Sequence, residues 1–256
     1  MPESGRPSDS ARLLAAQHTP EQIRRRLRGK GGPGYLRDLI YGAIDGAVTT
    51  FAVVAGVAGA ELAGGIVIVL GLANLFADGF SMAVSNFLGT RADEQFREQA
   101  RRNEERHIRL VPDGEREEIR QIFREKGFEG ETLERIVGVI TSEERRWVDT
   151  MIQEEHGLPL RGPSPWRAAF ATFAAFLAIG AVPLAPYLFQ ILGFPVAQPL
   201  LYSAMLTGVA FFGVGALKSR IIEEHWLHAG ITTLLMGGGA AGVAYLVGWF
   251  LKGVGS

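Results

Sequence analysis

Four polar or sulfur-bearing side chains interrupt one long apolar stretch at a fixed interval: Asn74, Asp78, Met82 and Asn86. A spacing of four puts them along one face of a helix. The apolar stretch before it, "YGAIDGAVTTFAVVAGVAGAEL" (residues 41–62), carries one aspartate, Asp45, near its start. Carboxylate and amide oxygens suit iron(II) and manganese(II), and a thioether adds a soft donor that magnesium or calcium would not favour. The chemistry open to such a set is reversible binding of a divalent metal, firm enough to dehydrate the ion and weak enough to release it. A carboxylate at membrane depth costs roughly 2.5–3.5 kcal/mol or more unless it faces a cavity or a partner. Two on successive segments therefore point to a shared polar path. The alternative is that Asp45 and Asp78 sit at the membrane interfaces or cap helices, while Met82 only packs.

A second constellation lies downstream. In "DEQFREQARRNEERH" (residues 93–107), Glu94, Glu98 and Glu105 fall at i, i+4 and i+11, one helical face. In "WVDTMIQEEHGL" (residues 147–158), Met151 precedes Glu154 and Glu155 by three and four residues. His107 and His156 stand beside these groups. Interleaved Glu and Arg also make ordinary solvated, salt-bridged faces, so the pattern alone leaves both readings open.

The elements that must position these residues follow from where charge is missing. The chain has 256 residues, 27 acids, 26 bases and no cysteine. A net charge of −1 gives no basis for bulk nucleic-acid binding, and without cysteine neither disulfides nor thiolate metal sites are possible. Residues 91–160 hold 18 of the acids and 13 of the bases, leaving long stretches elsewhere nearly uncharged. Five apolar segments, near residues 39–60, 63–90, 167–192, 197–217 and 227–251, each reach the roughly 20 residues a helix needs to cross a bilayer. The second is long enough to continue as one helix into the charged block. Pro183 and Pro186 predict a break in the third.

The expected fold is all-α: five transmembrane helices with a helical soluble domain between the second and third. The boundaries are a tail at 1–34, helices one and two at 35–90, the inserted domain at 91–163 and helices three to five at 164–256. Within the insertion, Ile119, Ile122, Phe123, Leu133, Ile136, Val137 and Ile140 supply a small core. The tail has a basic run, "RRRLRGKGGPG", and no apolar h-region, which argues against a cleavable signal peptide. Thr19 to Gln22 has the spacing of a capping box that opens a short amphipathic helix for a membrane surface. Lys and Arg cluster in the tail, the insertion and the "KSRIIEEHWLH" connector, which puts these on the cytoplasmic side and the C-terminus on the other. Gly42 with Gly46 and Ala52 with Gly56 form small-residue faces that serve either dimerisation or packing within one subunit, as does "MGGGAAG" (residues 236–242).

Other chemistries lack their motifs. The chain has no Walker A sequence for ATP-driven pumping, no nucleophile elbow, and no HExxH in the Glu224, His225, His228 connector. An enzyme is not expected, nor any cofactor beyond the bound or transported metal.

"DGAVTTFAVVAGVAGA" (residues 45–60) and "ADGFSMAVSNFLGTRADEQF" (residues 77–96) resemble the paired signatures of vacuolar iron transporter (VIT)-like proteins. The resemblance spans roughly residues 35–251. It extends to the membrane part of bacterial membrane-bound ferritin-type iron exporters, whose ferritin-like N-terminal domain has no counterpart here. It implies a dimer of five-helix subunits, a central ion path and a cytoplasmic metal-binding domain, with iron(II), in some members manganese(II), exchanged for protons. The family's pathway aspartate and methionine fall on Asp45 and Met82. Two-fold symmetry would present each of them twice. Asn74 stands where a pathway carboxylate is often found, and Ser85-Asn86-Phe87 replaces a frequent Gly-Glu-Tyr. For the inserted domain the resemblance implies ligands among glutamates of its first helix and a Met/Glu pair of its last, best matched by Met151 and Glu155. The expected protein is a divalent-metal transporter emptying the cytosol, in the plasma (inner) membrane of a prokaryote. The competing expectation is a membrane-anchored metal sensor without a transport cycle.

Overall fold

The computed structural model describes residues 15–16, 18–28, 34–222 and 224–253, all of it helix, turn or loop. The first 34 residues form a unit of their own. Within it, α1 (Pro20–Arg28) begins after Thr19, whose Oγ1 accepts a hydrogen bond from the Gln22 backbone N–H at 3.3 Å, as the capping-box spacing predicts.

The second unit holds the remaining helices. Helix α2 (Leu36–Gly59) is built from small and apolar residues without a proline. A tight connection through Glu61, at φ 54°, leads into α3 (Gly64–Leu110). At 47 residues α3 runs about 70 Å, more than twice the hydrocarbon thickness, so one end is set for lipid and the other for water. Pro112 ends it: the ring disfavours helix at the residue before and then serves as the first residue of α4 (Pro112–Glu125). Helices α5 (Gly130–Thr141) and α6 (Glu144–Glu154) follow. Next come α7 (Pro165–Gly180), a 3₁₀ turn (Val182–Leu184), α8 (Ala185–Ile191), α9 (Pro199–Ile222) and α10 (Trp226–Phe250).

The expected break around Pro183 and Pro186 is the 3₁₀ turn between α7 and α8. A break at membrane depth frees backbone carbonyls that lipid cannot satisfy. Here the buried Ser203 hydroxyl on α9 donates to the Pro183 carbonyl at 2.7 Å. Among the described residues, five helical spans, counting α7 and α8 as one, are long and apolar enough to cross a membrane. Their outward faces are apolar: Val69, Phe80, Phe170 and Leu235 are each at least 65% exposed, a surface suited to acyl chains rather than water.

Helix α2 is the hub, packed against α3, α7, α9 and α10. Its small residues make this possible. A Cβ on Gly42 or Gly46 would strike the backbone of Thr172 or Phe176 on α7, and one on Gly59 the backbone of α10. Gly56 faces the Ala244 carbonyl of α10. The glycine faces of α2 are thus spent within the subunit, whereas Gly238, Gly239 and Gly242 of the "MGGGAAG" run have nothing within 4 Å. Beyond the membrane-length part, α4, α5 and α6 close around the end of α3. Ile119, Leu133, Val137 and Ile140 join Ala100, Ile108, Trp147, Val148, Met151 and Ile152 in one buried cluster, flanked by Ile122, Phe123 and Ile136. All seven residues anticipated for that core take part.

Gly46→Ala is therefore expected to cost about 1–3 kcal/mol of stability, because the added methyl meets backbone that cannot yield. Gly213→Ala on α9, where nothing lies within 4 Å, serves as the neutral comparison. Thermal unfolding of the detergent-solubilised proteins reads both.

Candidate metal sites

The polar stripe of α3 divides in two. Asn86, at its far end, is engaged. Its amide nitrogen donates to Asp38 Oδ1 at 2.9 Å on α2 and to Thr172 Oγ1 at 2.6 Å on α7, with the Ala168 carbonyl at 3.4 Å. Its carbonyl oxygen accepts from Thr90 Oγ1 at 3.2 Å. This amide clamps three helices together, with both donors committed and one of its two acceptor sites taken by Thr90.

The other members are free. Asp45 on α2 and Asp78 on α3 are half-buried, close enough for their charges to interact, and have no hydrogen bond or ion pair to either carboxylate among the described residues. The turn carrying Asp45 is braced by Thr49, whose hydroxyl donates to the Asp45 carbonyl at 3.0 Å. One turn before Asp78, the Asn74 amide nitrogen is buried without a partner. Met82, half-buried, packs against the cluster of Val54, Val57, Leu75 and Phe176. Two carboxylates, an orphaned amide and a thioether thus share one region of the α2–α3 pair. The two carboxylates are expensive to hold uncompensated at membrane depth, where a proton or a cation would relieve them.

In the insertion, the glutamates singled out by spacing do not converge. Glu94 pairs with Arg91 at 2.5 Å, Glu98 lies 3.9 Å from Arg102, and Glu154 pairs with Lys126. Glu105 is half-buried and joins no group of candidate ligands. Met151 is wholly buried in the apolar core, one turn before Glu155.

The residues that do converge are their neighbours. Glu104 and His107 on α3, Glu115 on α4, and Glu155 and His156 at the end of α6 form two interlocking groups, with Glu104 common to both. Glu104 is 2% exposed and Glu115 3% exposed, and an oxygen of each, Oε2, is buried with no partner. His156 Nε2 lies 3.0 Å from Glu104 Oε1 and 3.9 Å from Glu155 Oε2. His107 Nδ1 lies 3.5 Å from Glu115 Oε1 and 4.0 Å from Glu104 Oε1. Glu224 and His228 of the connector pair with each other, apart from both groups.

A signal for this cluster exists in the sequence, although the face with the most glutamates obscures it. Ala100, Glu104 and Ile108 are spaced by four and all buried, as are Glu115 and Ile119. Each of these acids occupies a position where the amphipathic pattern calls for a hydrophobe. An acid on the apolar stripe carries more information than three acids on the wet one.

The electrostatics match this placement. Burial, then the charges of Glu118, Glu104 and Glu155, push the Glu115 carboxyl up to about 7. Glu155 is also raised, by burial and the Glu104 charge, with His156 and His107 working against the shift. In the metal-free protein a raised carboxyl contributes stability that is complete below its unfolded value of 4.5 and is lost as pH rises through about 7. Glu115→Gln removes that loss. With chelator present, the Gln variant is expected to melt above wild type at pH 8 and level with it near pH 4.5. Parallel melting curves from pH 4.5 to 8 would show that Glu115 is not under this strain.

With the geometry in place, the comparisons with known proteins bear on it. The model of the VIT family matches residues 36–249, which takes in every spanning helix and the insertion. A protein named vacuolar iron transporter from Toxoplasma gondii is 30% identical, over 85% of this chain and 74% of its own length. Vacuolar iron transporter 1 of Eucalyptus grandis is 31% identical over 82% of this chain and 84% of its own length. Vacuolar iron transporter 2 of Oryza sativa subsp. japonica is 30% identical over 93% of both. Both the membrane stripe and the carboxylate–imidazole cluster lie inside the matched region, and the chain belongs to the VIT family.

Proposed function

We propose that this chain is a divalent-metal transporter that moves iron(II), with manganese(II) as a second cargo, out of the cytosol in exchange for protons. The observation that carries the reading is the pair Asp45 and Asp78, uncompensated on adjacent spanning helices. The names of the relatives, all vacuolar iron transporters, support iron as the cargo. On this reading the insertion faces the cytosol and captures the ion, and the stripe of Asp45, Asp78, Asn74 and Met82 passes it across. Asn86 is left out of the ligand set, because its amide is committed to Asp38 and Thr172. A homodimer would place two copies of the stripe about one axis and double its ligands. Lys and Arg in the tail, insertion and connector favour a cytoplasmic tail and insertion, with the plasma membrane of a prokaryote as the setting.

Asp45→Ala is expected to abolish iron(II) uptake into proteoliposomes while leaving a folded, monodisperse protein, since the carboxylate has no structural partner to lose. Full flux in a well-folded variant would sink the pathway assignment. If wild type binds metal but shows no flux under any pH gradient, the chain is a membrane-anchored sensor instead.

Met82→Leu separates ligand from packing. A volume-conserving change in a packed position costs under about 1.5 kcal/mol. A lost sulfur ligand lowers flux of iron(II) or cobalt(II) more than that of manganese(II), which relies less on soft donors. Equal flux of all three ions in both proteins would show that the thioether touches none of them.

A further inference from the structure

Resting on the reading that the insertion captures the cargo, we propose that His107 and His156 are metal ligands that turn its carboxylate cluster into a nitrogen-bearing filter. It would admit ions of the iron(II), cobalt(II) and zinc(II) class ahead of manganese(II), magnesium and calcium. Oxygen-only sites suit the hard ions, whereas imidazole shifts preference toward the later first-row metals. A cluster of glutamates alone would not discriminate in this way. The two histidines therefore decide which metal class arrives at the membrane stripe.

The geometry supports ligation. Two donor atoms each about 2.1 Å from a shared ion stand roughly 3.0–3.4 Å apart at octahedral or tetrahedral angles. Here the separations are 3.0 Å between His156 Nε2 and Glu104 Oε1, and 3.5 Å between His107 Nδ1 and Glu115 Oε1. In each of the two groups all donor atoms lie within 4.8 Å of one another. Glu104, present in both, offers one oxygen toward each imidazole's side of the cluster and has a second oxygen to spare.

The competing account treats each histidine as a structural partner, an imidazolium that neutralises a buried carboxylate. That account leaves the Oε2 atoms of Glu104 and Glu115 unexplained. Both are buried, neither has a hydrogen bond while the two carboxyls are ionised, and both belong to residues at least 97% buried. A buried carboxylate oxygen without a partner is costly, and ion pairs made through Oε1 do not remove the cost. A metal ion reached by both oxygens would. Position along the fold agrees: α3 ends at Leu110 and α4 begins at Pro112, and Glu155 follows the last residue of α6, Glu154. The five residues thus come from three helix ends, where backbone turns leave side chains room to close on an ion.

The test uses the full chain in detergent, stripped of metal and carrying Asp45→Ala so that the α2 carboxylate of the membrane stripe does not contribute. Cobalt(II) and manganese(II) titrations are compared for this background, for H107Q/H156Q and for E104Q/E115Q. X-ray absorption is recorded on the cobalt-loaded background, a readout that needs no histidine variant to fold. The proposal expects imidazole scattering in that spectrum. It also expects a loss of cobalt(II) affinity in H107Q/H156Q of at least about tenfold, the lower end of what even outer-shell partners contribute. Manganese(II) affinity should change much less, so that the cobalt-to-manganese ratio collapses. No imidazole scattering, or an unchanged ratio alongside abolished binding in E104Q/E115Q, overturns the histidine assignment and leaves the cluster as an oxygen site. Undiminished binding in E104Q/E115Q overturns both the assignment and the capture reading beneath it.

Discussion

A carboxylate held away from water without a counter-charge is under strain, whether the surroundings are lipid or a protein core. This chain holds such carboxylates in two places. Asp45 and Asp78 lie on adjacent spanning helices, close enough for their charges to interact, and Glu104 and Glu115 lie buried in the insertion with an oxygen each unpartnered. Several other glutamates of the insertion are paired with basic side chains instead. Arg91, Arg102 and Lys126 take Glu94, Glu98 and Glu154. Asp45 and Asp78 have no ion pair among the described residues, and the clustered glutamates have only imidazoles beside them; protons or a cation would relieve both places.

A single element joins the two sites. Helix α3 carries Asn74, Asp78 and Met82 in its first half and Glu104 and His107 in its last turns, without interruption. From Asp78 to Glu104 is 26 residues, about 39 Å along the axis. A rigid rod of that length fixes the height and azimuth of one site relative to the other. The close packing of α2 on α7 and α10, possible only at its glycines, fixes the rod's neighbour, and with it Asp45. Asn86 holds the joint where α2, α3 and α7 meet. The family signature often carries a carboxylate at this position. An amide serves the clamp better, because it donates to Asp38 and Thr172 while accepting from Thr90, which a carboxylate could not do.

The fold was largely written in composition and periodicity. A shortage of charge over lengths of twenty residues has few physical outcomes other than a spanning helix, and five such stretches became five spans. Pro183 and Pro186 broke the third span because a missing N–H and a bulky ring act locally, whatever surrounds them. The core of the insertion followed from amphipathic spacing for the same reason. Asp45 and Asp78 were also visible in advance, since a carboxylate in an apolar run is conspicuous at the level of single residues.

What only the tertiary structure decided is partnership. Spacing put Glu94, Glu98 and Glu105 on one face of α3, but the face that turns inward is the adjacent one, carrying Ala100, Glu104 and Ile108. A helix advances 100° per residue, so a shift of one position separates a buried carboxylate from a solvated ion pair. The apolar Ala100 and Ile108 mark the covered side in the sequence, but not which residues of other helices meet it there. Likewise Asn86 and Asp78 share a stripe, yet one is consumed by hydrogen bonds and the other is left free, because α7 brings Thr172 to the first and nothing to the second. His107 and His156 lie 49 residues apart in the chain and flank one carboxylate only after α6 folds back onto α3. The sequence by itself determined which residues were costly to place. The fold determined which of them are left without partners in the protein, since that depends on contacts between segments far apart in the chain.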